Sequence, residues 1–147
     1  FNPTETDMKI LLAVDGSPFT KKMLAYLVTH PELFGPHNAF TLFTAVEALP
    51  PRARAAVGAE VAHGYYTDEA AKVAAPVLEF LARHSIVPEV THHAGRAGEL
   101  IAQAATDGGF DLVMMGSHGH GALANLVMGS VATQVLAHCK VPVLLVR

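Results

Sequence analysis

Cysteine, net positive charge and long apolar runs are all scarce in this chain, and each scarcity closes off a class of function. The single cysteine, Cys139, cannot form an internal disulfide. No arginine-flanked apolar leader opens the sequence, so the expected compartment is a reducing cytoplasm. Lys and Arg number 10 against 13 Asp and Glu, a formal charge of -3, which leaves no broad basic surface for a phosphate backbone. Aromatic residues make up 7% of the chain, and Tyr65 and Tyr66 have no basic stripe beside them, so nucleic acid is not an expected partner. The longest apolar runs, such as Val141 to Val146, fall far short of the roughly 20 residues of a spanning helix. A membrane is therefore not expected as a partner. Between Arg96 and Lys140 there is no Lys or Arg, and the P-loop pattern G-x-x-x-x-G-K-[ST] is missing. No lysine is thus placed to reach a transferring phosphoryl group.

What is present is apolar: 51% of 147 residues, enough for one sizeable core. The expected organisation is a single domain over residues 8–147. Phe1 to Asp7, mostly polar and ahead of Met8, is expected to be an extension or a cloning remnant. Met8 to Val14 (MKILLAV) suits a strand buried on both faces. Ser17 and Pro18 form an N-cap and first-turn proline, and Met23, Leu24, Leu27 and Val28 then predict a helix to about His30. Ala39 to Val46 reads as strand two. From about Ala56 to Leu81 the apolar stripe is helical, interrupted at Gly64 and Pro76, as one bent helix or two pieces. Strands over Ile86–His93, Phe110–Met115 and Val141–Val146 alternate with helices over Ala97–Thr106 and Val131–Ala137. Five strands alternating with four helical regions predict an α/β sandwich with a largely parallel sheet. Pro142 near the start of the last strand marks it as an edge, and an apolar edge left bare invites pairing, so self-association through it is expected.

The chemistry should sit where glycines follow strands. Gly116-Ser117-His118-Gly119 comes directly after FDLVMM, and Gly129-Ser130 opens the last helix. Glycines let the backbone approach a ligand, successive amides form an anion nest, and a helix N-terminus favours phosphate. Asp15-Gly16-Ser17 occupies the matching place after strand one. Ligands of open sheets bind beyond the carboxyl ends of strands, which lets Asp15 face a ribose or base while Gly116 to Ser130 holds phosphates. A simple helix-start role for Asp15 is the competing reading. His92 and His93 point to opposite faces of a strand, and the other histidines are scattered, so no protein metal site is expected. No catalytic residue is assigned.

At these positions the chain resembles the universal stress protein family. The spacing Gly116, two residues, Gly119, nine residues, Gly129-Ser130 is similar to the signature of the ATP-binding subclass, and VDGS (Val14 to Ser17) and the closing VPVLLVR match as well. The resemblance implies a three-layer, Rossmann-like sandwich with a five-stranded sheet in the order 3-2-1-4-5, dimerised by antiparallel pairing of the last strand. It further implies that Asp15 contacts the ribose, that Gly116 and Gly119 approach sugar and phosphates, and that Gly129, Ser130 and the Val131 amide grip the phosphates. Ala45 and Met115 would line the adenine site. His120 stands where the family is often basic; a phosphate contact there predicts binding that loosens from pH 6 to 8. The implied ligand is ATP, with Mg2+ held partly by the phosphates.

The function expected is that of an ATP-binding stress-response or signalling protein, a homodimer acting on an unidentified protein partner, with slow hydrolysis as an accompaniment. The enzyme alternative is an ATP-hydrolysing or adenylyl-transferring catalyst. A third reading is a nucleotide-free dimeric interaction protein whose glycine loop is structural.

Overall fold

A computed structural model describes residues 7–121 and 125–147; residues 1–6, most of the expected extension, lie outside it. Strand β1 (Lys9–Ala13) runs through the centre of the molecule, with Ile10, Leu11 and Leu12 fully buried. The continuous apolar run made this inevitable, since a strand covered on both faces has no polar side to offer water. On one flank β1 pairs in parallel with β2 (Ala39–Val46), and β2 with β3 (Glu89–Ala94); on the other it pairs with β4 (Leu112–Gly116), and β4 with β5 (Val143–Val146). The sheet is all parallel in the order β3-β2-β1-β4-β5, as expected.

Strand alternation sorts the core into two layers. Ile10, Leu12, Leu42 and Met114 face helix α1 (Pro18–Val28) and helix α3 (Pro51–Ala82), meeting Met23, Leu27, Val77 and Leu81. Leu11, Phe43, Val113 and Met115 face helix α4 (Ala97–Asp107) and helix α5 (Ser130–His138), meeting Ile101, Ala105, Ala132 and Val135. Each such large side chain contributes on the order of 1.5–3 kcal/mol by leaving water.

Several boundaries differ from the sequence expectation for identifiable reasons. Helix α1 stops at Val28, and Pro31–Phe34 forms a separate short helix, α2, because Pro31 cannot continue the first. Helix α3 begins at Pro51 rather than Ala56, a proline at its first position being well tolerated. It is one long element broken at Gly58 (φ 82, ψ 165), and Pro76 lies within it; Gly64 causes no break. Ile86 is a core anchor whose amide returns to the Leu81 carbonyl at 3.0 Å; after Pro88, β3 begins at Glu89. Strand β5 starts only at Val143, although the Pro142 carbonyl already accepts from the Val113 amide at 2.9 Å.

Candidate functional site

Chain direction reverses beside β1. From β1 the chain steps through β2 to β3 with helices on one face, then returns through β4 and β5 with helices on the other. The connections diverge at the carboxyl ends of β1 and β4, where Ala13 stands opposite Met115, and a crevice opens at that switch point.

The turn after β1 is closed by its own hydrogen bonds. Asp15 Oδ1 accepts from the Ser17 amide at 2.9 Å and from the Thr20 hydroxyl at 2.9 Å. Ser17 caps α1 by accepting from the Thr20 amide at 3.4 Å. Gly16 sits at φ +75, a left-handed conformation that a side chain would strain. Asp15 therefore has the helix-start role, and it also has a free side: Oδ2 lies 2.9 Å from where a Cβ on Gly119 would be. The two chain segments meet again where His120 Nε2 donates to the Asp15 carbonyl at 2.7 Å.

The stretch after β4 is pinned equally firmly. The Ser117 amide donates to the Val146 carbonyl at 2.8 Å, and the Gly129 amide to the Ser117 carbonyl at 2.7 Å. His118 is buried, its Nε2 donating to the Leu126 carbonyl at 2.7 Å and its Nδ1 held 2.7 Å from the Ser117 hydroxyl. Its ring also packs on Phe19, centroids 4.7 Å apart. Both ring nitrogens of His118 are thus committed to protein partners. Gly116 lines the cleft and has a packing role as well. A Cβ there would come within 2.6 Å of Phe19 Cβ, so its lack of a side chain lets α1 pack on β4. Gly129 is tight to a lesser degree, a Cβ falling 3.1 Å from His118 Cα.

Helix α5 starts differently from α1. Its N-cap is Gly129 and no side chain caps it, so the amides at 130–132 have no intrahelical acceptor. Ser130 is exposed beside them.

These elements enclose a cleft of about 440 Å³. Asp15, Ala45, Met115, Gly116, Gly119, His120, Gly129, Ser130 and Val131 all line it, although they come from four separated parts of the chain. One end is apolar, made by Phe43, Ala45, Ala97, Ile101 and Met115. The other carries the glycine turn, Asp15 and the α5 amides. No Lys or Arg is among the lining residues. Sequence reading missed Thr20, Phe43, Ile101 and Leu126. Phe43 and Ile101 read as core, correctly, and the same side chains also wall the cleft. Among the described residues no three His, Cys, Asp or Glu side chains converge as a metal site, and no helix is long and apolar enough to cross a membrane.

Known proteins share this fold. The universal stress protein family model matches residues 8–147. A Synechocystis relative, universal stress protein Slr1230, is 32% identical over 144 residues, covering 97% of this chain and 44% of that protein. The chain therefore spans less than half the length of that relative. Among solved structures, the hypothetical protein MJ0577 superposes with a TM-score of 0.76 at 25% identity, over 95% of this chain and 94% of the other. An Arabidopsis thaliana universal stress protein family protein with AMP bound gives a TM-score of 0.65 at 14% identity, over 95% and 90% of the two chains. At that identity the likeness is one of fold. The family match over nearly the whole chain, joined to the sheet order and the glycine turn, makes this chain a member of the universal stress protein family.

Proposed function

We propose that residues 8–147 act as one nucleotide-binding domain whose cleft takes ATP, and that the protein works in stress response by presenting a nucleotide-dependent surface to a protein partner. The observation that carries this reading is the convergence of nine residues from four chain segments on one cleft with an apolar end and an amide-rich end. The apolar end suits a flat base between Ala45 and Met115, and Asp15 Oδ2 would accept from a ribose hydroxyl. The open N-terminus of α5, with Ser130, offers donors to phosphate oxygens. The AMP held by the Arabidopsis protein supports an adenine nucleotide in this fold.

Mg2+ fits the donor set only as a phosphate-held ion. Among the described residues the cleft's sole carboxylate is Asp15, one of whose oxygens already serves the α1 turn. A small hard cation that keeps several waters needs no more than one such ligand when phosphates supply the rest. Bound there, the ion would offset the triphosphate charge that no Lys or Arg of the cleft offsets.

The same shortage argues for binding with slow hydrolysis over an ATP-hydrolysing or adenylyl-transferring enzyme. No lysine lines the cleft, and Asp15, the one acid among its described lining residues, has one oxygen engaged at the turn and the other assigned here to the ribose. The homodimer through β5 is part of the proposal.

Mass spectrometry of nucleotide released by acid from freshly purified protein is the test. The expected result is recovered ATP, and added Mg-ATP at 100 times its Kd raises stability by about 2.7 kcal/mol. Empty protein whose melting temperature ignores Mg-ATP overturns the reading in favour of a nucleotide-free interaction protein.

A further inference from the structure

A second cavity, about 730 Å³, lies between α1 and α3, on the far side of the Asp15–His120 contact from the nucleotide cleft. We propose that it is a separate ligand site for a medium-chain carboxylate, an anionic head carrying a hydrocarbon tail. The proposal does not depend on what the first cleft binds.

Two features of the groove select that chemistry. Its floor is hydrocarbon: Leu24 and Val77 are buried in the core, and Val73 and Phe80 are partly buried against the same cluster. Its rim is cationic, made by Lys21, Lys72 and Arg83. This contrasts with the neighbouring cleft, which has no cation in its lining, and with the negative charge of the chain as a whole. Among the described residues the only acid lining the groove is Asp15, whose Oδ1 is taken by Ser17 and Thr20.

The rim cations are available to a ligand. Lys72 and Arg83 pair with Glu69 and Glu79 of their own helix at 2.9 and 3.4 Å, and both lysine and arginine stay largely exposed. Exposed pairs of that kind are held weakly, so a bound carboxylate can take their place. Lysine and arginine heads are cationic at neutral pH without help from those partners. The volume falls within the roughly 300–1,000 Å³ typical of small-molecule sites. An apolar floor with a few placed charges gives such a ligand its tail contact and its orientation.

The test is a titration of the full chain with decanoate below its micellar concentration, followed by methyl NMR. Saturable shifts are expected at Leu24, Val73 and Val77, with the Ile101 methyls of the nucleotide cleft unmoved. Decanol, with a similar tail and no charge, should bind at least about tenfold more weakly, and K21E/K72E should lose about tenfold in decanoate affinity. Val73→Phe, which fills the floor, should abolish binding of both and supplies an independent check on the charge variant. Absence of saturable shifts, equal affinity for decanol, undiminished binding by K21E/K72E or Val73→Phe, or shifts confined to Ile101 overturns the proposal.

Discussion

The two carboxylate oxygens of Asp15 have different surroundings, and the division of tasks proposed for them is open to experiment. Oδ1 closes the turn on the Ser17 amide and the Thr20 hydroxyl, a role that an asparagine carbonyl can also fill. Oδ2 looks toward Gly119 and the cleft, where an amide nitrogen would present donors to a ribose hydroxyl in place of an acceptor. Asp15→Asn is therefore expected to change unfolding free energy by less than about 1 kcal/mol in urea titrations, yet to weaken nucleotide binding about tenfold by calorimetry. Asp15→Ala should lose both functions and about 1–3 kcal/mol of stability. Full nucleotide affinity in the asparagine variant would reduce Asp15 to a capping residue. The same scale shows where sequence reading stops. Gly116 and Gly129 were recognisable as glycines beside a ligand site, but the sequence did not reveal that Phe19 and the backbone of His118 also crowd these positions. Nor could the sequence tell that the His118 ring would bond a carbonyl eight residues ahead, since nothing local to SHG names Leu126 as its partner.

Helix α3 carries a contrast between two glycines six residues apart. Gly58 sits at φ 82 and ψ 165, in a region that only glycine occupies comfortably. Gly64 is an exposed residue of the helix, with open space where its Cβ would be. Gly58→Ala should cost about 1–3 kcal/mol in backbone strain, while Gly64→Ala should stabilise by up to about 1 kcal/mol through helix propensity. Chemical denaturation of the two variants checks the pair, and equal effects of one sign would contradict it. Periodicity located the helix but not its break, because a stripe of apolar residues continues through both glycines. It missed the first turn for a related reason: Pro50 and Pro51 look like a connection, whereas a proline at the start of a helix costs nothing in hydrogen bonding. The strands were easier to read because β1, β2 and β4 are buried on both faces and leave nearly unbroken apolar runs. Strand β3 is the exception, a polar edge whose start could be placed only by knowing that Ile86 belongs to the helix C-terminus.

At the scale of the whole molecule, alternation of strands and helices was enough for the layered architecture, whereas the strand order was available only through the family resemblance. That order leaves two edges of opposite character. Strand β3 offers Glu89, Thr91, His92 and His93 along its length, polar side chains of the kind that discourage unwanted pairing. Strand β5 is Val-Leu-Leu-Val, half-buried throughout, and has no such protection. The carbonyls of Pro142 and Val146 accept from the amides of Val113 in β4 and Ser117 just after it, so by the two-residue period of a strand the backbone groups of Val143 and Leu145 point to the free edge. Antiparallel pairing of β5 with a second copy would satisfy them in an isologous interface. Leu145→Pro removes an outward N–H without touching the ladder to β4. Under the proposed homodimer, light scattering should give two chains for the parent and one for this variant, with parallel thermal melts showing that the variant remains folded. A parent that is monomeric at micromolar concentration, or a folded Leu145→Pro variant that still scatters as two chains, would remove β5 as the interface and leave its apolar edge to be covered from within the chain.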